Sequence, residues 1–424
     1  MTQFLVRKII LVLVFSVLYS CTSDQENLSS TNDTQTLFTL LDAKDTGIDF
    51  LNKVKNQKNF NIFKYRNFYN GGGVAIGDIN NDGLADIYLT GNMVANKLYL
   101  NKGNFQFEDI SKSAGIEGNK PWSTGVVMVD INQDGLLDIY VSNAGNLKGN
   151  NHDNDLYINN GDLTFTEKAA EFNLAKTGFS THASFFDYDK DGDLDAYILN
   201  NSNIPVSSLG YAEQRDKRAQ DWENVPQIFR GVGDMLLRND NGKFVDVSEQ
   251  AGIYGSLIGF GLGVMVTDMN GDLYPDIYVS NDFYERDYLY INNQDGTFKE
   301  DITNWTSHLS LSAMGVDIAD INNDGNADIF ITDMLPEADQ RVKSVMEFEG
   351  YNVFKLKQSK DFSQQYIQNT LQLNNGNSTF SEVAYHSGVA KTDWSWAGLL
   401  FDMDNDGNRD IFITNGINHD LTDL

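Results

Sequence analysis

The sequence is poor in the residues that staple or stiffen a chain. One cysteine, Cys21, in 424 residues excludes an intrachain disulfide. Five prolines exclude a proline-rich rod, and 36 glycines without a collagen period point to many tight turns. Positive charge is scarce too: 31 Lys and Arg face 60 Asp and Glu, a formal net charge of −29. With no segregated basic patch such a chain repels DNA and RNA, so no nucleic-acid partner is expected. G-x-S-x-G, H-E-x-x-H and P-loop motifs are missing, and no two of the five histidines stand at metal-ligand spacing. The expectation is a protein that is not an enzyme and has no catalytic residues. With 41% hydrophobic and 12% aromatic residues, however, the chain can build a large core rather than stay disordered.

Long apolar runs are absent except for one, Ile9 to Leu18, which follows Arg7 and Lys8. It is about half the length needed to span a bilayer and reads as a signal peptide. It ends Leu18-Tyr19-Ser20-Cys21, which resembles a bacterial lipobox. The expected organisation is a lipoprotein signal peptide at 1–21 with Cys21 lipidated, a flexible polar tether at 22–36, and a folded domain at 37–424. The protein is then exported and lipid-anchored at the bacterial outer membrane or cell surface, touching the membrane through its N-terminal lipid only.

What is abundant is a nine-residue pattern, Asp-x-Asp/Asn-x-Asp-Gly-x-x-Asp, starting at Asp78, Asp130, Asp187, Asp268, Asp320 and Asp402. The starts lie 52, 57, 81, 52 and 82 residues apart, so two intervals carry insertions, Ile204 to Arg230 and Leu335 to Thr370, both helix-permissive. A small-residue, apolar stretch precedes each motif and a run such as DIYVSN follows it. Beyond that, in five repeats, lies a hairpin signature such as LYINNGDLTFTE. Four strands recurring at this period are what a propeller blade requires. The fold class is therefore all-β, a β-propeller of four-stranded blades with six recognisable repeats and two short helical insertions. Only one strand follows the sixth motif; either residues 36–60 fold back to complete that blade, or the propeller is truncated at its C-terminus and a further blade lies beyond Leu424.

Oxygen-bearing side chains at alternate positions of a tight loop suit calcium, which takes six to eight oxygens. Glycine at position 6 lets the backbone turn, and the aspartate at position 9 closes the shell. The expected ligands are Asp78, Asn80, Asp82 and Asp86; Asp130, Asn132, Asp134 and Asp138; Asp187, Asp189, Asp191 and Asp195; Asp268, Asn270, Asp272 and Asp276; Asp320, Asn322, Asp324 and Asp328; and Asp402, Asp404, Asp406 and Asp410. Up to six Ca2+ ions are expected, and no other cofactor. Leu273, standing where the other motifs have glycine, is expected to strain the fourth turn. Two further groups read as structural: the run Glu285-Arg286-Asp287 as an ion-paired loop, and Trp122, Trp394 and Trp396 as wedges between blades. His182 reads as an ordinary strand residue.

These repeats resemble FG-GAP/VCBS repeats, as in the integrin α-subunit propeller. NDFYERDYLYINN from Asn281 and RNFYNGGGVAIGDINNDG from Arg66 are more narrowly similar to bacterial, ASPIC/UnbV-associated relatives of the acidic secreted protein of cartilage. The resemblance implies a seven-bladed propeller, calcium in the blade loops and an extracellular binding role. Together these readings give a calcium-binding surface lipoprotein that acts as an adhesion module for an extracellular protein or glycan. The alternatives are a polysaccharide-active enzyme on the same scaffold, or the structural part of a larger envelope protein.

Overall fold

The β-branched and aromatic runs that flank each acidic motif form strands. A computed structural model describes residues 36–145, 151–202, 215, 218, 233–255, 257–346 and 349–416. Five four-stranded antiparallel sheets follow one another along the chain. The first contains Val74–Gly77, Asp86–Leu89, Lys97–Asn101 and Phe107–Asp109. The second contains Ser123–Val129, Asp138–Asn143, Asp155–Asn159 and Phe165–Glu167. The third contains Ser180–Phe186, Asp195–Asn200, Met235–Asn239 and Phe244–Asp246. The fourth contains Gly261–Thr267, Asp276–Asn281, Tyr288–Asn292 and Phe298–Glu300. The fifth contains Val316–Ala319, Asp328–Ile331, Thr370–Asn374 and Phe380–Glu382. A sixth sheet has two strands among the described residues, Ser395–Phe401 and Asp410–Asn415.

The sheets stack face to face, as blades do. Five apolar clusters each join one sheet to the next. Ile139, Val141 and Tyr157 of the second sheet meet Tyr88 and Leu100 of the first, for example. Covered on both faces, the second strands are buried at every position from Asp138 to Asn143 and from Asp276 to Asn281. Each fully buried Ile, Val or Leu there contributes on the order of 1.5–3 kcal/mol.

The small residues ahead of each motif let neighbouring inner strands approach closely. A Cβ on Gly125 would lie 2.5 Å from the Thr181 carbonyl oxygen, and one on Gly315 2.5 Å from that of Trp396. Threonine hydroxyls bridge gaps of this kind, Thr124 donating to Ser180 O at 2.6 Å between the second and third sheets and Thr181 to Gly261 O at 2.8 Å between the third and fourth. The result is a β-propeller arrangement in which inner strands succeed one another sheet by sheet.

Three expectations are corrected or refined. Residues 36–60 contribute no strand to the sixth sheet. They lack β alternation and hold a one-turn helix at Ala43–Thr46, and the stretch 49–52 lies against the first sheet. There Tyr99 Oη donates to Asp49 at 3.0 Å, and Asn52 and Asn92 exchange hydrogen bonds of 2.9 and 2.8 Å. Trp122 is absent from the five inter-sheet clusters. It is fully buried at the sheet ends among Phe60, Tyr65 and Phe68, where Ile62 and Tyr69 also pack. The second insertion forms helices at Asp339–Val345 and Tyr351–Gln358. The first insertion lies outside the described residues apart from Arg215 and Arg218, as do residues 1–35 with the expected signal peptide, Cys21 and nearly all of the tether. No helix among the described residues is long and apolar enough to cross a membrane.

Candidate cation-binding loops

Each acidic motif forms the loop between the first and second strands of its sheet, and all six loops fold in the same way. The position-1 aspartate collects backbone N–H groups. Asp78 accepts from Asp82 N at 3.1 Å and Gly83 N at 2.7 Å, and Asp130, Asp187, Asp268, Asp320 and Asp402 make the matching pairs. Loss of hydration opposes ionisation of Asp78, yet the N–H groups around it hold its carboxyl below the usual range. The position-5 aspartate accepts from the position-7 amide, as Asp82 does from Leu84 at 2.8 Å.

Wrapping the chain around that first carboxylate requires a left-handed residue at position 6. Gly83, Gly135, Gly192, Gly325 and Gly407 have φ between 84° and 101°. Leu273 is held at φ 72° with the loop otherwise unchanged, its amide donating to Asp268 at 2.7 Å. The fourth turn therefore forms despite its side chain, at a conformational cost of roughly 1 kcal/mol.

The position-9 aspartate is a clamp as well as an expected ligand. In the fourth loop, Asp276 Oδ2 accepts from Met269 N at 2.8 Å and Oδ1 from Asn292 N, in the third strand, at 2.8 Å. Asp86, Asp138, Asp195 and Asp328 each make the same two bonds, while Asp410 makes the first with Met403 N at 3.1 Å. Burial first, then the charges of the loop's other aspartates, push the carboxyls of Asp86, Asp138, Asp195, Asp276 and Asp328 up against the pull of the N–H bonds. Asp138 rises to about 6, and Asp195 and Asp276 to about 7.

The loops differ at position 3. In the third and sixth, Asp187, Asp189 and Asp195, and likewise Asp402, Asp404 and Asp410, each bring one carboxylate oxygen within 4.8 Å of the other two. Asp191 and Asp406 lie outside these groups. In the third loop Asp189 Oδ1 and Asp193 Oδ1 are buried without a hydrogen-bond partner, and burial raises both carboxyls. Packed carboxylate oxygens with an unpartnered one among them fit a hard, oxygen-seeking cation such as calcium. In the other loops asparagine takes position 3, and Asn80, Asn132, Asn270 and Asn322 donate to the position-5 carboxylate at 2.9–3.0 Å. The motif spacing alone did not reveal a further regularity at position 4, whose side chain reaches the next loop. Asn81 donates to Gly135 O at 3.0 Å, Gln133 to Gly192 O at 2.9 Å and Asn323 to Asn408 Oδ1 at 3.1 Å, while Lys190 sits 4.5 Å from the Tyr274 ring centre. The fourth loop has Gly271 there and no side chain to reach with.

The opposite end of each four-stranded sheet has a second clamp, which the acidic motif does not signal. The residue just before the third strand takes the backbone N–H at the end of the second. Asn96, Asn154 and Asn369 do so with amides at 2.7–2.9 Å, Asp234 and Asp287 with carboxylates at 2.9 and 2.8 Å. Its signal was present as Asn or Asp immediately ahead of each third strand. Around Asp287 the expected ion-paired loop is fully buried. Arg286 pairs with Glu300 at 2.7 Å and Arg215 with Glu285 at 2.7 Å.

Fold and loops together define the class: an all-β repeat protein of propeller type with an acidic loop at the same end of every sheet. The profile of the FG-GAP-like repeat matches residues 78–141, 144–198 and 268–331, so the chain carries FG-GAP repeats. Among curated proteins it is similar to cartilage acidic protein 1 of Xenopus tropicalis, 34% identical over 218 residues, covering 51% of this chain and 29% of that protein. The Mus musculus protein of the same name is 26% identical over 216 residues, covering 50% and 29%. The match thus spans under a third of the length of these relatives. Among solved structures, an Agrocybe aegerita lectin described as recognising non-reducing terminal N-acetylglucosamine aligns at TM-score 0.41 and 17% identity, covering 79% of this chain and 72% of that one. The V. cholerae biofilm matrix protein Bap1 aligns at TM-score 0.31 and 14% identity, covering 62% and 34%.

Proposed function

We propose that the protein is a calcium-binding, exported lipoprotein whose propeller is a binding or adhesion module for an extracellular protein or glycan, with no catalytic activity of its own. One observation carries the reading. Six loops fold identically around an aspartate, and where position 3 is also acidic, three carboxylate oxygens stand within 4.8 Å of one another. Positions 1, 3 and 9 would hold the ion in each loop. Calcium there would supply charge neutralisation at a site where carboxylates otherwise repel. The protein's own residues do the rest. The position-9 aspartate ties its loop to the third strand, and position 4 ties most loops to a neighbour, so that ordered loops present a stiff face to a partner.

The test is thermal unfolding of the full chain with millimolar calcium and with excess chelator. Calcium is expected to raise the melting temperature by several degrees or more, since an ion at one hundred times its Kd stabilises by about 2.7 kcal/mol per site. Equal melting in both buffers contradicts the metal assignment. The anchor is tested separately: Cys21→Ser is expected to move the protein from the membrane to the soluble fraction.

A further inference from the structure

The acidic loops leave unused a cavity of about 420 Å³ lined by residues from five of the six sheets, by Met314 just ahead of the remaining one, and by the segment that precedes the first. Its volume is in the range of roughly 300–1,000 Å³ typical of small-molecule sites. In a chain with a net charge of −29, no Asp, Glu, Lys or Arg is among the described residues that line it. Apolar wall comes from Leu262, Met314 and Trp396. Polar wall comes from Asn67, Asn70 and His182, and none of these three makes a side-chain hydrogen bond to another described residue, although Asn67 is only 4% exposed. The Asn67 amide atoms stay accessible, so they can meet a ligand without first breaking a protein hydrogen bond. Burial also holds the His182 imidazole below its usual range, so the ring is neutral at pH 7 and offers one donor and one acceptor.

We propose that this cavity is a binding site for one neutral sugar ring, whose hydroxyls meet Asn67, Asn70 and His182 while its C–H face lies on the apolar wall that includes Trp396. The chemistry matches on each count. Hydroxyls donate and accept, as do amides and a neutral imidazole. A wall without charge rejects anionic and cationic ligands, which would be desolvated there without an ion partner. The site is independent of the acidic loops and of any macromolecule bound at the surface.

The test is isothermal titration of the full chain in calcium buffer with glucose, galactose, mannose and N-acetylglucosamine, using glucuronate and glucosamine as charged controls. At least one neutral sugar is expected to bind saturably at one per chain. Asn70→Ala is expected to weaken it about tenfold, the value of one hydrogen bond of about 1.4 kcal/mol, with melting unchanged. The surface variant Phe105→Ser is expected to leave binding as it is. The proposal is overturned if none of the four sugars binds, if a charged control binds as tightly, or if both Asn70→Ala and His182→Ala leave the affinity unchanged. Where Asn70→Ala fails to fold, a sugar-dependent change in tryptophan fluorescence that disappears in Trp396→Phe decides in its place. A chain that binds calcium but none of these sugars defeats this site alone; one that binds a sugar but no calcium defeats only the metal reading.

Discussion

The two ends of each sheet are built on different principles. At one end lie exposed acidic loops, held by hydrogen bonds that run two to five residues along the chain. At the other end lie buried charges whose partners are far apart in sequence: Arg286 reaches Glu300 and Asp361, and Arg215 reaches Glu285 70 residues away. The first end is a repeated module that neutralises its own backbone and concentrates negative charge outward. The second adds to its repeated Asn/Asp clamp a network made once, around the fourth sheet, which ties Arg215 and Asp361 of the two insertions to Glu285 and Arg286. The difference separates a surface suited to cations from one devoted to architecture.

The largest expected effect falls on the buried end. Arg286→Met should destabilise by about 3–5 kcal/mol, because Glu300 and the neighbouring Glu285 lose a cation in a dry environment. Chemical denaturation measures it, and a loss below 1 kcal/mol would erase the contrast. At the loop end, Asp276→Ala should cost about 2–3 kcal/mol by orphaning the Met269 and Asn292 amides. Asp272→Ala, at a half-buried position whose partners lie within the loop or at its rim, should cost less than half as much in the presence of chelator.

Smaller effects sharpen the comparison. Leu273→Gly should stabilise by about 1 kcal/mol, since a side chain at φ 72° is replaced by one that tolerates it. A decrease would mean that the exposed leucine has packing the loop geometry does not reveal. The last prediction concerns pH. Burial raises Asp287 to about 7, against the pull of the Asn281 amide and the Tyr278 hydroxyl, while the unfolded chain releases this proton near the ordinary aspartate value of 3.8. Between those values the folded state keeps a proton that the unfolded state has lost, so this group's contribution to stability falls as pH rises from about 4 to about 7. Asp287→Asn should flatten that slope, because asparagine already fills the equivalent place as Asn96, Asn154 and Asn369. Denaturation midpoints of both proteins across pH 5–8 measure it, and parallel curves would contradict the assignment.

How much was legible follows from the same contrast. The sheets and loops were readable because each rests on local patterns: alternation in DIYVSN, aspartates at fixed spacing, a glycine where φ must be positive. The double use of position 9 was not readable, because its second partner, an amide such as Asn292 N, sits in a strand beyond the hairpin. Nor was the placement of Trp122 or of residues 36–60. Both depend on contacts between segments with no repeat partner, Phe60 and Tyr65 against Trp122, and Asn52 against Asn92. The cavity residues were not readable as a group either: Asn67 and Asn70 stand in the run from Arg66 and His182 in a strand more than 100 residues later, and nothing in the local pattern brings them together.

The most direct measurement of the central claim is elemental analysis of the folded chain after equilibration with calcium and removal of free ion, alongside a variant carrying Asp187→Asn and Asp189→Asn. The account predicts bound calcium in the wild-type chain and one ion fewer in the variant. Folded protein without alkaline-earth metal, or equal metal content in both, would contradict it.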